Sequence, residues 1–280
     1  MIKIVTDSTC DIPVDWLKKY NITVVPVNIQ FGLETFQEGV TITPDTFYRR
    51  IEANSVLPTT SQASVGQLWQ VYQDLAADGS EILSIHLTSK LSGTWQAALL
   101  AAKQLENLVK ITVFDSFTGS AGLGFMVREA AQLVTSGFSV QEIVNRLEAR
   151  RAQINIFILL KDLRYARMSG RVGRVKESLS SLLSIRPIIA VEHGALVLKE
   201  RVRGQKKGFA HMLALTQQAS GNQPVHVAVA HAIAPAGAES LLAQACNQLN
   251  CKDTFISDLA LSIAVHFGPG TVGVVTYPAE

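Results

Sequence analysis

A chain of 280 residues with 48% hydrophobic content can bury a substantial core in one large or two ordinary domains, which excludes a disordered polypeptide. Charged residues make up 17% and the net charge is +2, so no global basic field gathers nucleic acid and any cationic contact must be local. Cys10, Cys246 and Cys251 are too few and too irregularly spaced for a disulfide framework or a zinc site, which fits a reducing compartment.

The opening residues MIKIVTDST pass from a short apolar run to polar residues without signal-like architecture. No stretch approaches the ~20 apolar residues of a spanning helix. The expectation is a soluble, cytoplasmic protein with no transmembrane segment. Strands are predicted at 2–6, 22–27, 81–87, 110–114 and 155–160, alternating with helices at 13–19, 43–53, 64–77, 94–107, 120–136 and 140–152. Such alternation reads as α/β with a largely parallel sheet. Capping-box spacing at Ser64/Gln67 and Ser139/Glu142 marks two helix starts.

After residue 162 the pattern changes. RPIIAVEHGALVLKERVR predicts a hairpin turning at His193-Gly194, and helical runs near 205–220 and 236–250 bracket the strand HVAVAHA, with a last strand at 271–277. The reading is two α/β domains: 1–162 with a largely parallel sheet, and 163–280 with a mixed sheet.

Chemistry-bearing segments punctuate this framework. TDSTCDIP (6–13) follows the first strand, where open α/β sheets build sites. Asp7 and Asp11 alone make a weak metal pair, and the simpler reading has Asp11 cap the helix at Pro13. LPTTSQAS (57–64) sets Thr59, Thr60 and Ser61 at a helix entrance, ahead of an apolar stripe of Val65, Leu68, Trp69, Tyr72, Leu75 and Ala76. KLSGTWQAAL (90–99) repeats the design, with Ser92, Gly93 and Thr94 ahead of Trp95, Ala98, Leu99, Ala102 and Leu105. Helix starts carry open amides and the positive dipole end, so each suits a carboxylate or phosphate. Ser92 can therefore be a cap or a ligand contact, and Thr60 and Ser92 converge only if both strands feed one sheet edge.

FDSFTGSAGLG (114–124) lacks the ordered dinucleotide fingerprint, so its glycines read as a close-packing turn and no cofactor is assigned. The segment 161–178 crowds Lys161, Arg164, Arg167, Arg171, Arg174 and Lys176, a solvated basic loop or a local docking patch that Arg201, Arg203, Lys206 and Lys207 extend. His266 precedes a Gly-Pro-Gly turn with no paired metal ligand four residues away, and no metal is assigned. A serine hydrolase would use Ser92 as nucleophile, His266 as base and Asp7 or Asp115 as orienter. The chain lacks the G-x-S-x-G elbow and P-loop and kinase motifs, so catalytic residues are not assigned and a binding protein is favoured.

TDSTCDIP, TTSQAS, LSGTWQAA, VFDSFTGSAGLG, MSGRVGR and HFGPGTVGV together resemble the DegV family of bacterial fatty-acid-binding proteins along essentially the whole chain. That resemblance implies two α/β domains with a long-chain fatty acid such as palmitate between them, the carboxylate held by Thr60 and Ser92. It further implies Ser61, Gly93, Thr94 and His266 near the head group. A fatty acid kinase catalytic subunit, which forms the acyl phosphate, would dock at Arg171, Arg174 and Arg203. The chain departs from the family at Ala63, where members often carry proline, and Cys10 occupies a variable place. Neither change removes an anchoring hydroxyl.

Overall fold

A computed structural model describes residues 1–54, 57–161, 165–166, 170–171 and 185–279, which fall into two compact units. Unit 1 is Met1–Arg151 with Ala260–Ser262, and unit 2 is Ala152–Leu259 with Ile263–Glu280.

Unit 1 runs β1 (Ile2–Asp7), a 3-10 turn (Ser8–Cys10), α1 (Val14–Lys19), β2 (Thr23–Val25), β3 (Asn28–Phe31), β4 (Glu34–Gln37) and α2 (Pro44–Asn54). It continues with β5 (Thr59–Ser61), α3 (Val65–Ala76), β6 (Glu81–His86), α4 (Thr94–Gln104), β7 (Ile111–Asp115), α5 (Ser120–Thr135) and α6 (Val140–Arg151). Four strands form a sheet in the order β2-β1-β6-β7, and every neighbouring pair is parallel. IKIVTD and EILSIH are mostly buried, as strands covered on both faces require. Leu68 and Tyr72 of α3 and Ala97, Ala98 and Ala101 of α4 close over Val5, Val25 and Ile82. The small alanines let α4 lie close. The buried stripe of α4 differs from the sequence expectation at Leu99, which is exposed.

The predicted glycine packing in 114–124 is realised at Gly124. A side chain there would run into the Cys10 carbonyl and Ile12, so α5 meets the β1–α1 connection backbone to backbone. Asp11 does not cap α1: the N-cap is Pro13, with no side-chain cap, and Asp11 instead accepts from the Ala260 amide (2.8 Å) and the Ser120 hydroxyl (2.5 Å). A second sheet of unit 1, ordered β4-β3-β5, was not expected.

Unit 2 runs β8 (Asn155–Leu159), β9 (Ile185–Glu192), β10 (Ala195–Arg203), α7 (Gln205–Ser220), β11 (Val225–His231), α8 (Pro235–Gln248), β12 (Cys251–Asp258), α9 (Leu261–Phe267) and β13 (Val272–Pro278). The first residues of α9, Leu261 and Ser262, fall in unit 1. The sheet order is β10-β9-β8-β13-β11-β12, antiparallel throughout except for β11 with β12, so it is mixed as expected. Its core gathers Phe157, Leu159, Ile188, Val227, Val229 and Val274 beneath Phe209 and Met212 of α7 and Leu241 of α8. The hairpin turn falls at His193 and Gly194, with φ of 50° and 81°. The expected division at 162/163 moves to 151/152, because β8 pairs with β9 and β13 rather than with the parallel sheet.

Candidate functional site

In the parallel sheet of unit 1, β1 is followed on one side by β2 and β6 on the other side by β7. The carboxyl ends of β1 and β6 therefore flank the point where the strand order reverses, the usual site of ligand binding in open α/β sheets. Asp7 ends β1, and His86 ends β6. The loop 87–93 then leads into α4.

That loop is held amide by amide. Leu87 N–H donates to Asp7 Oδ2 (3.0 Å), Thr88 N–H to the Thr118 carbonyl (2.9 Å), and Ser89 N–H to both carboxylate oxygens of Asp115 (3.2 and 3.3 Å). Lys90 N–H donates to Thr88 Oγ1 (3.2 Å), and the Leu91 and Ser92 amides to the Thr88 carbonyl (3.1 and 3.2 Å). The Ser92 side chain is thus carried on a backbone whose hydrogen bonds are already made.

Ser92 is not the N-cap of α4. Gly93 holds that position and, having no side chain, makes no cap hydrogen bond of its own. Ser92 Oγ accepts from Thr94 N–H (3.2 Å) and lies 2.9 Å from Thr94 Oγ1, with Thr94 itself buried. When Thr94 donates in that pair, the Ser92 proton is available to an outside acceptor. The remaining amides of the first turn of α4 keep the positive dipole end beside it.

Thr60 and Ser61 do not lie at a helix entrance. They belong to β5, opposite Ile29 and Asn28 of β3, while the start of α3 is closed by the Ser64/Gln67 capping box foreseen from sequence. The TTSQ and LSGT segments nevertheless meet, because a side chain at Gly93 would run into the Gln62 carboxamide. Gln62 follows β5 directly, and its carbonyl accepts from Asn28 Nδ2 (3.1 Å). Sequence reasoning passed over Gln62.

The hydrolase assignment loses both orienting acids. Asp7 is fully buried and engaged by His86 Nδ1 (3.0 Å), Leu87 N–H and Thr9, and Asp115 accepts from the Ser89 and Phe117 amides. Burial raises the Asp7 pKa, but the hydrogen bonds from His86, Thr9 and the Leu87 amide outweigh it and hold the carboxyl below the usual range. His86 and Ser84 were not foreseen, and Tyr72 was expected only as part of the apolar stripe of α3, where it is buried. Their signal is two polar residues, Ser84 and His86, at i and i+2 in the otherwise apolar run 82–86 of β6.

His266 sits in the last turn of α9 in unit 2. Burial, and then the Arg171 charge, lower its pKa to about 4, so the ring is neutral at neutral pH. Arg171 and Arg203, the last residue of β10, are exposed, while Arg174 lies outside the described residues. Among the described residues no three His, Cys, Asp or Glu side chains cluster as a metal site, and no helix is long and apolar enough to cross a membrane.

One family profile, described as "Uncharacterised protein, DegV family", matches residues 1–279. The chain belongs to the DegV family. A DegV domain-containing protein of Halalkalibacterium halodurans is 35% identical over 278 residues, 99% of this chain and 98% of the relative. A DegV family protein from Thermus thermophilus, solved as a study of its fatty acid binding, superposes with a TM-score of 0.93 at 28% identity over 99% of each chain. DegV from Bacillus subtilis, solved as a fatty acid binding protein, superposes at 0.89 with 27% identity over 99% of each chain. In this DegV chain Ala63 is fully buried in the unit 1 core, so the departure from proline falls on a packed position.

Proposed function

We propose that this DegV protein binds a long-chain fatty acid such as palmitate non-covalently, with Thr60 and Ser92 donating hydrogen bonds to its carboxylate. The observation that carries the reading is the contact of Gln62 with Gly93, which brings the TTSQ strand end to the start of α4, where the N-cap residue has no side chain, on a loop fixed by hydrogen bonds to Asp7 and Asp115. An anion completes such a helix start as a capping side chain would. Charge-assisted hydrogen bonds set orientation, and burial of the chain supplies affinity: at about 0.8 kcal/mol per methylene, a dozen methylenes give on the order of 10 kcal/mol before the costs of association. The relatives described as binding fatty acids support the ligand class.

In this reading Ser61, Gly93, Thr94 and His266 lie in the head-group vicinity, and the protein presents its ligand to a fatty acid kinase catalytic subunit through Arg171, Arg174 and Arg203. A cytoplasmic setting suits its three free thiols. The test is calorimetric titration with palmitate. Thr60→Ala and Ser92→Ala should each weaken binding by about tenfold, the scale of one hydrogen bond to a charged group. Unchanged affinity in both variants would remove the anchor from the proposal.

A further inference from the structure

Beneath the anchor loop, four fully buried polar side chains of unit 1 form an unbroken chain. The Tyr72 hydroxyl donates to Ser84 Oγ (2.8 Å), Ser84 Oγ lies 2.7 Å from His86 Nε2, and His86 Nδ1 lies 3.0 Å from Asp7 Oδ2. Ser84, His86 and Asp7 thus reproduce the hydrogen-bond order of a serine-protease triad. None of them reaches the surface, so no substrate carbonyl can approach Ser84, and nucleophilic catalysis is ruled out for this array.

The directions of the hydrogen bonds give the chain another use. Asp7 accepts at Nδ1–H, so a neutral His86 accepts at Nε2 from the Ser84 hydroxyl, and Ser84 accepts from Tyr72; this tautomer follows from the network. Every donor then points toward Asp7. The Asp7 carboxylate spends one oxygen on Thr9 N–H (3.2 Å) and Oγ1 (2.5 Å), and shares the other between His86 and Leu87 N–H, the first amide of the loop that carries Ser92. A second buried carboxylate, Asp115, holds the Ser89 amide two residues on. Burying polar groups without partners is costly, so a fully connected network of this kind holds its members in one geometry.

We propose that the Tyr72–Ser84–His86–Asp7 chain is a positioning device for carboxylate recognition: it fixes Leu87 and through it the 87–92 loop, so that Ser92 meets the head group without rearrangement. The proposal rests on the fatty-acid reading above and assigns His86 and Asp7 as positioning residues. They act through Ser92 and need not touch the ligand.

The experiment compares palmitate with hexadecanol, which keeps the sixteen-carbon chain and lacks the carboxylate. The chain should matter only to the acid. His86→Leu should weaken palmitate by about tenfold while hexadecanol stays within about twofold of wild type, and His86→Asn, whose Nδ2–H can replace Nδ1–H toward Asp7, should keep most of the acid affinity. Equal losses for both ligands, or no loss for either, would overturn the proposal. Tyr72→Phe, the mildest break in the chain, supplies a readout should His86→Leu fail to fold. Amide exchange should quicken at 87–92 and stay as in wild type at the Ser64/Gln67 cap of α3, and unchanged exchange in the loop would also overturn the proposal. Wild type that binds acid no better than alcohol would sink the fatty-acid reading and this inference with it. Loss of the acid preference in Ser92→Ala but not in His86→Leu would sink the inference alone.

Discussion

At Ser92 one hydroxyl accepts the Thr94 amide, and when Thr94 Oγ1 donates to it as well its own proton is left for an outside acceptor, while Gly93, with no side chain, takes the N-cap position of α4. Gly93 matters for what it leaves room for. In Gly93→Ala the new methyl meets only the far end of the exposed, flexible Gln62 side chain, so the melting temperature should stay within about 2 °C of wild type. Palmitate affinity should nonetheless fall several-fold, because Gln62 must leave its place beside Gly93; a calorimetric scan and a titration on one preparation separate the two effects. His266 gives a pH prediction. Its folded pKa of about 4 lies below the 6.5 of an unfolded histidine, so between those values the unfolded chain binds a proton that the folded chain refuses. Stability from this residue is therefore intact above pH 6.5 and is lost as pH falls toward 4, by on the order of 3 kcal/mol. Glu38, whose pKa is raised by burial, titrates with the opposite sign, so the comparison to make is wild type against His266→Asn, which should show the flatter acid limb in urea melts.

Among the elements, the helices α1 to α8 were the legible part, whereas the seven-residue α9 was not foreseen. Their apolar spacing and capping boxes state where they begin, and both boxes form: Ser64 with Gln67, and Ser139 with Glu142 at 2.8 and 3.4 Å. Ser64→Ala should cost about 1 kcal/mol in chemical unfolding while leaving palmitate affinity unchanged, since the cap serves α3 and not the ligand. Gly124→Ala is the harsher change, because its methyl meets the Cys10 carbonyl, which has no rotamer to escape into; a loss of about 2 kcal/mol or more is expected in the same assay. The small sheet of β3, β4 and β5 was not legible. β5 has three residues and β4 is largely exposed, so neither shows an alternation long enough to separate a strand from a loop. That omission put Thr60 at a helix entrance when it lies on β5. β12 was passed over for a related reason: it sits at the sheet edge, and half of its residues are exposed.

At the scale of the whole molecule, composition and element order gave two α/β units, one parallel and one mixed, and the family likeness runs from end to end. The dividing line was misread because the run 156–160 is as apolar as a parallel strand, and only the antiparallel partners of β8 show which sheet it joins. The candidate site was half legible. Its hydroxyls stand in quotable motifs, whereas the buried relay beneath them depends on β1 and β6 being neighbours, a pairing between residues about eighty positions apart. With a net charge of only +2, docking to a kinase would depend on a local cluster: charge reversal at Arg171 and Arg203 should slow acyl phosphate formation by an added fatty acid kinase while leaving palmitate affinity unchanged, and equal loss of both would refute that surface. The central claim is more basic, and mass spectrometry of the purified protein under native conditions, with added palmitate, tests it most directly. The account predicts a one-to-one complex in wild type whose mass excess is released as a fatty acid on denaturation, and its marked loss in Thr60→Ala/Ser92→Ala. A folded wild-type chain that carries no fatty acid and takes up none would contradict it.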